Sequence, residues 1–104
     1  DGEFDFTAMF AISDYGALVA LREFEALGIE VPETLSILGC GNVKVPGIER
    51  LTTVDTPRSQ IAQEVATMAY HILGHHEGFR TQVNVPPVMA VRKTVRQLPV
   101  RQVV

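Results

Sequence analysis

The fold is decided by residues 6–42, which read FTAMFAISDYGALVALREFEALGIEVPETLSILGCGN. The apolar run over residues 6–12 is rich in residues that pack on a pleated surface, and it predicts a strand. A helical pattern follows and ends at Gly28, and the apolar run over residues 35–38 predicts a second strand. Because strands joined by a helical crossover are normally parallel, this stretch predicts one strand–helix–strand unit.

Two polar loops follow the predicted strands of this unit. Ser13 and Asp14 come after the first strand, and Gly41 and Asn42 come after the second. In parallel α/β sheets, the loops beyond the carboxyl ends of the strands share a crevice in which ligands usually bind. We therefore expect the two loops to lie side by side at one rim of the sheet. The functional hypothesis rests on this pair of loops.

The remainder of the chain continues the alternation of strands and helices. Residues 51–55 predict a short strand, and a helix is predicted over residues 57–73, with Thr56 as its cap and Pro57 as its first residue. Two further strand-like runs cover residues 81–85 and 88–95. In the first helix, Ser13 or Asp14 is the expected cap, and Gly28 supplies a left-handed end. The predicted class is α/β with a parallel sheet.

Composition sets the broad limits on function. The chain has 104 residues, of which 46% are hydrophobic and 20% charged, so it is globular and long enough for one small domain or part of a larger one. The net charge of −3 gives no reason to expect direct contact with nucleic acid. A single cysteine suits a reducing compartment, and no apolar run approaches the roughly 20 residues of a membrane span. Because the sequence opens without Met directly before a strand, we expect it to be a piece of a longer protein.

Several residues invite a catalytic or metal-binding interpretation, which the pattern does not favour. His71 and His75 share a helical spacing, and His76 and Glu77 follow, but part of this set lies beyond the glycine that ends the helix. Histidines in a last helical turn are favourable without metal. Cys40 has no general base nearby in the sequence. We therefore expect no metal, no cofactor and no enzyme activity.

Three segments taken together resemble a known family. They are TAMFAISDYGALVALREFEALGIEVPETLSILGCGN, LTTVDTPRSQIAQEVATMAYHIL and VNVPPVMAVRKTV. Over residues 7–95, this ordered set is similar to the C-terminal part of the effector-binding domain of LacI/GalR transcription regulators. Sugar-binding proteins of the periplasm share the fold, but the VPE and LTTV motifs look more like the regulators.

The resemblance implies a partial periplasmic-binding-protein-like fold, with two subdomains on either side of a ligand cleft. Residues 6–54 would belong to the C-terminal subdomain, residues 56–86 to the other subdomain, and residues 88–95 would return to the first. A helix-turn-helix domain that binds operator DNA would lie outside this sequence. The implied protein is a cytoplasmic homodimer that responds to a sugar or a related metabolite. The alternatives are part of a transporter-associated periplasmic sugar-binding protein and, more remotely, a small hydrolase-like α/β enzyme.

The family's contacts carry over to particular positions of this chain. The effector-binding positions would be Ser13, Asp14, Gly41, Asn42 and Thr56. Gly41 stands where the family usually has an Asp that holds ligand hydroxyls, so either Asn42 or Thr56 would contribute this contact or the ligand would lack the group. The dimer contacts would be Leu18, Leu21, Arg22, Glu25, Lys44 and Ile48. We also expect the apolar stripe of the helix over residues 57–73 to fold back or to swap onto a second copy.

Overall fold

The computed structural model describes residues 5–74, residue 78 and residues 82–99. Their elements are, in order, β1 (Ala8–Phe10), α1 (Asp14–Ala26), β2 (Ser36–Gly41), a 3-10 turn (Ile48–Arg50), β3 (Thr52–Asp55), α2 (Arg58–Leu73) and β4 (Val88–Ala90). The four strands form one sheet in the order β1-β2-β3-β4, and β2 is parallel to both β1 and β3. The predicted parallel α/β class is confirmed.

Helix α1 begins and ends as its sequence predicts. Ser13 is the N-cap, and its Oγ accepts a hydrogen bond of 3.2 Å from the Gly16 amide. At the other end, Gly28 has φ +81° and its amide donates to the Glu25 carbonyl, while the Ile29 amide donates to the Phe24 carbonyl. This is the pair of bonds by which a left-handed glycine closes a helix. The caps fix where α1 starts relative to the rim of the sheet.

The core lies between α1 and one face of the sheet. Ala17 and Leu21 project from α1, and they pack against Leu35, Ile37 and Leu51, all of which are at most 3% exposed. Burial of such aliphatic side chains stabilises the fold by roughly 1.5–3 kcal/mol each. The packing holds α1 across β2, and so brings its first turn to the carboxyl end of the strands.

A threonine near the chain's end joins two strands at their amino ends. Thr94 is 1% exposed, and its hydroxyl donates to the Ile37 carbonyl at 2.7 Å and accepts from the Thr52 amide at 2.9 Å. The Thr94 carbonyl accepts from the Ile37 amide at 2.7 Å. The segment after β4 therefore completes the sheet through Thr94. It does so without extending β4, which is shorter than the strand predicted over residues 88–95.

The described residues divide into two compact units. Those up to Asp55 and from Met89 onward form the first unit, and Thr56–Val88 forms the second. In the second unit, α2 has no buried residue. Its apolar side chains remain partly exposed, and a cavity of about 270 Å³ is lined by Ile61, Glu64, Val65, Met68, Val83 and Val85. Whether α2 folds back or swaps between copies stays a prediction.

Two expectations for the second unit are corrected. Residues 82–85 have no regular secondary structure, and Thr81 lies outside the described residues, so the strand predicted over residues 81–85 is not seen. A strand needs a neighbour for its amides and carbonyls, and the described part of this unit contains no strand that could pair with it. The cap of α2 is Pro57 rather than Thr56, whose hydroxyl accepts from Arg58 Nη1 at 3.2 Å. Gly74 ends α2 as predicted.

Replacing Thr94 with valine tests its bridging role. The Thr94→Val variant leaves the Thr52 amide without its acceptor and takes one donor from the Ile37 carbonyl. We expect the free energy of unfolding to fall by about 1–3 kcal/mol. Urea unfolding followed by circular dichroism measures this loss. Thr94→Ser keeps the hydroxyl, so its loss is expected to be about 1 kcal/mol or less. A Thr94→Val variant as stable as the wild type would show that the hydroxyl group does not contribute to the stability of the fold.

Candidate functional site

The two loops predicted to meet do meet at the carboxyl rim of the sheet. β1 and β2 are parallel, with Phe10 in register with Leu38, so their carboxyl ends point the same way. The amide of Val43, in the loop after β2, donates a hydrogen bond of 2.8 Å to Asp14 Oδ2, in the first turn after β1. The expectation that these loops lie side by side is confirmed.

Asp14 is the anchor of this rim. It is 1% exposed, and its second oxygen, Oδ1, accepts a hydrogen bond of 2.5 Å from the Thr53 hydroxyl. One carboxylate therefore ties the start of α1 to the loop after β2 and to β3. Both oxygens of the buried Asp14 side chain therefore accept hydrogen bonds from within the chain. Its predicted role as an effector contact stays a prediction.

Gly39 provides the space that Asp14 needs. A Cβ added at Gly39 would lie 2.6 Å from Asp14 Oδ1 and 2.8 Å from Leu51 Cδ2. Both distances are far below van der Waals contact, so a side chain here would displace the carboxylate or the core leucine. The first glycine of the Gly39-Cys40-Gly41 run is thus a packing requirement. The free thiol of Cys40 is half-buried beside it.

A second network continues along the rim from Asn42. Its backbone has φ +55°, its Nδ2 donates to Asp55 Oδ2 at 3.0 Å, and its Oδ1 accepts from Arg92 Nη2 at 2.8 Å. Arg92 Nη1 also donates to the carbonyls of Ile48 and Leu51, each at 3.0 Å. The ends of β2 and β3 and the segment after β4 therefore share one set of hydrogen bonds.

Sequence reasoning did not assign Asp55 or Arg92 to the ligand site. Among the described residues, Asp55 and Asp14 do not share a hydrogen-bond partner, since Asp55 accepts from Asn42 and Asp14 accepts from Thr53. No local signal marks Arg92, because its partner Asn42 is 50 residues away in the sequence. The alternation of strands and helices does, however, predict that residues at the ends of neighbouring parallel strands come together.

The other predicted effector positions differ in their surroundings. Ser13 is half-buried and accepts from the Gly16 amide, so its hydroxyl proton remains available for donation to another group. Gly41 has φ +121° and is the register partner of Asp55 in the β2–β3 ladder. Thr56 belongs to the second unit, where it binds Arg58.

The predicted dimer positions surround a groove on α1. This groove has a volume of about 290 Å³ and lies between α1 and the loop from Pro46 to Arg50. Arg50 Nη1 and Nη2 donate to Glu25 Oε1 and Oε2 at 3.1 and 2.8 Å, and this bidentate hydrogen bonding lowers the pKa of the Glu25 carboxyl. Leu18, Val19 and Arg22 line the same groove.

The structure separates the dimer positions into surface and core. Arg22, Glu25 and Lys44 are exposed, and Leu18 is partly exposed. Leu21 is only 3% exposed, belongs to the core and lines the groove, and its contact with a partner stays a prediction. Ile48 is half-buried and packs against the same core.

Within residues 5–74, 78 and 82–99, no three His, Cys, Asp or Glu side chains converge as metal ligands would. His75, His76 and Glu77, considered for metal binding, lie outside this range. In the same part of the chain, no helix has the length and apolar character of a membrane span.

A parallel α/β sheet whose strand ends are joined by polar loops defines the class of ligand-binding α/β domains. Over residues 4–95 the chain matches the family model described as periplasmic binding protein-like domain, and it belongs to that family. It is a segment of a LacI/GalR-type effector-binding domain, as the resemblance in the sequence implied.

Three known proteins illustrate this similarity. The chain is 33% identical over 96 residues to the HTH-type transcriptional repressor CytR of Escherichia coli and 29% identical over 96 residues to the HTH-type transcriptional repressor PurR of Aliivibrio salmonicida. The alignments cover 89% and 88% of the chain, and the chain spans 28% of each repressor. Its structure is similar to that of a LacI family transcriptional regulator from Enterococcus faecalis with bound ribose. The TM-score is 0.73 and the identity 28%, covering 93% of this chain and 37% of that one.

Replacing Gly39 with alanine tests the close approach to Asp14. The added methyl group would overlap the carboxylate and Leu51, so the free energy of unfolding should fall by about 1–3 kcal/mol. Urea unfolding measures the change. Gly16→Ala is the matched control, because its Cβ would meet nothing closer than Ser13 Oγ at 3.5 Å. Alanine should be neutral or stabilising by about 0.5–1 kcal/mol in that helix. If Gly39→Ala were as stable as the wild type, the packing account would be wrong.

Proposed function

We propose that this chain is part of a ligand-responsive transcription regulator of the LacI/GalR type, and that it supplies part of the small-molecule effector cleft and of the dimer interface. The observation that carries the proposal is the hydrogen-bonded rim formed by Asp14, Val43, Asn42 and Asp55 in a chain of this family. Membership of the family is supported by relatives that are HTH-type repressors. Those relatives do not favour the alternative of a periplasmic sugar-binding protein of a transporter.

The effector site would lie over the rim of the first unit. Ser13 can donate its hydroxyl proton to a ligand, while the backbone at Gly41 and the side chain of Asn42 border the position above the ends of β2 and β3. We assign the first unit to the C-terminal subdomain and the second, with Thr56, to the other subdomain of the family. A sugar or a related metabolite fits these polar groups, and a LacI family regulator of similar structure holds ribose.

Regulation would follow from a difference in effector affinity between two arrangements of the subdomains. An effector that binds one arrangement more tightly shifts the population toward it, and a coupling of about 1–3 kcal/mol is typical of such systems. Operator DNA would be bound by a helix-turn-helix domain, as the names of the relatives indicate. The protein would then act in the cytoplasm, and none of the proposed steps involves catalysis.

The dimer interface would include the groove on α1. Leu18 and Val19 give it an apolar side, and Arg22 with the Glu25–Arg50 pair gives it charge. Val19 is 50% exposed and lies beside Leu18 in the groove, so the two side chains would together supply apolar area to a contact. Lys44 and Ile48, in and after the neighbouring loop, would extend this contact surface.

The effector site can be tested with the full-length protein and a panel of ribose, glucose, cellobiose and adenine. We expect at least one compound to raise the melting temperature and to bind in calorimetry. Ser13→Ala should weaken this binding by about 5- to 10-fold, because a neutral hydrogen bond is worth about 1 ± 0.5 kcal/mol. Ser13→Thr, which keeps the hydroxyl and the helix cap, is the control. Unchanged affinity in Ser13→Ala would remove Ser13 from the site.

The dimer interface can be tested by placing a charge beside the groove. Val19→Asp should raise the dimer dissociation constant at least about 10-fold, because a like-charged pair would be brought together or a carboxylate desolvated. Sedimentation velocity over a concentration series measures this constant. Val19→Thr has nearly the same shape without charge and should change it far less. A wild-type protein that remains monomeric at high micromolar concentration would contradict the proposed interface.

A further inference from the structure

The carboxylate of Asp55 is held by one oxygen and offers the other. Oδ2 accepts the hydrogen bond from Asn42 Nδ2 at 3.0 Å, whereas Oδ1 accepts none from the part of the chain that the structure describes. The side chain is half-buried, so part of it remains accessible to solvent. An ionised carboxylate has acceptor sites on both oxygens and no donor of its own. Asp55 therefore presents a hydrogen-bond acceptor at the carboxyl end of β3.

Asn42 and Arg92 determine how this carboxylate is oriented. A side-chain amide has a donor end and an acceptor end, and Arg92 Nη2 occupies the acceptor end of Asn42 at 2.8 Å. The donor end must then face Asp55. Arg92 is itself held by the carbonyls of Ile48 and Leu51. A carboxylate positioned in this way loses little conformational freedom when a ligand binds, which favours affinity.

The neighbouring strand places no side chain beside Asp55. Gly41 is the register partner of Asp55 in the parallel β2–β3 ladder. Residues in register on adjacent strands point to the same face of a sheet, so a side chain at position 41 would stand beside that of Asp55. Glycine has none. Beside the carboxylate of Asp55, β2 therefore contributes backbone only.

We propose that Asp55, oriented by Asn42 and Arg92, is the effector-binding carboxylate of this site, and that its Oδ1 accepts hydrogen bonds from hydroxyl groups of a neutral sugar. The inference rests on the proposed function and adds the residue that recognises the ligand and the ligand's chemical class. Hydrogen bonds from hydroxyl groups to a carboxylate are charge-assisted and about twice as strong as neutral ones. The negative charge disfavours anionic ligands such as sugar phosphates.

The test uses calorimetry on the full-length protein with ribose, glucose, cellobiose and adenine. For the sugar that binds, Asp55→Asn should weaken affinity about 10- to 100-fold, since it removes the charge while preserving the shape. Asp5→Asn is the matched control, because Asp5 is exposed and precedes the amino end of β1, at the opposite rim. Asn42→Gly tolerates the positive φ and removes only the amide, so it should weaken affinity by a smaller factor, about 3- to 10-fold.

Deoxy analogues of the bound sugar separate recognition from a general structural effect. The penalty of Asp55→Asn should disappear for the analogue that lacks the hydroxyl bound by Oδ1, and persist for the others. Equal sugar affinity in Asp55→Asn and wild type would overturn the inference and leave the proposed function standing. A penalty that is the same for every analogue, or binding of adenine alone, would also overturn it. If no compound in the panel binds the wild-type protein, the proposed function itself fails.

Discussion

The buried carboxylate of Asp14 is the interaction on which the geometry of the site depends. Removing an ionised group from water is costly unless hydrogen bonds replace the lost hydration. Here the replacement comes from the Thr53 hydroxyl and the Val43 amide, which belong to two other parts of the first unit. The charge is therefore satisfied only when α1, the loop after β2 and strand β3 are all in place. This requirement stabilises the observed arrangement of the rim relative to arrangements in which Asp14 lacks one of these hydrogen bonds.

The polar groups that we propose as ligand contacts are arranged around that anchor. Asp14 itself is covered, whereas Ser13 beside it and Asp55 across the ladder retain hydrogen-bonding capacity. Of the two acids at the rim, Asp14 is buried and Asp55 is half-buried. Arg92 contributes by holding Asn42, although its own guanidinium is occupied by protein oxygens. The positive charge of Arg92 therefore lies close to the proposed site, but its guanidinium donates to protein oxygens.

Much of the fold could be predicted from the sequence because its signals are local. The apolar runs, the serine cap and the glycine at position 28 each act within a few residues, and the structure confirms them. The strand expected over residues 81–85 would need a second strand to pair with, and the local sequence pattern does not show whether such a strand is present. The start of α2 was wrong by one residue, since Pro57 takes the cap position that its preceding threonine was expected to fill. The roles of Asp55 and Arg92 arise from contacts between distant residues, and spacing alone does not reveal them.

The bridge made by Thr94 has a consequence for how the protein is made. The ribosome releases β2 and β3 well before it reaches residue 94, and domains generally fold as synthesis proceeds. Until then, the Thr52 amide must donate its hydrogen bond to water, and the Ile37 carbonyl lacks the hydrogen bond from the Thr94 hydroxyl. A nascent chain can bury α1 against the strands early, but the amino end of the β2–β3 pair closes late. This closure joins residues 42 and 57 positions apart in the sequence, a long-range contact of the kind that slows folding.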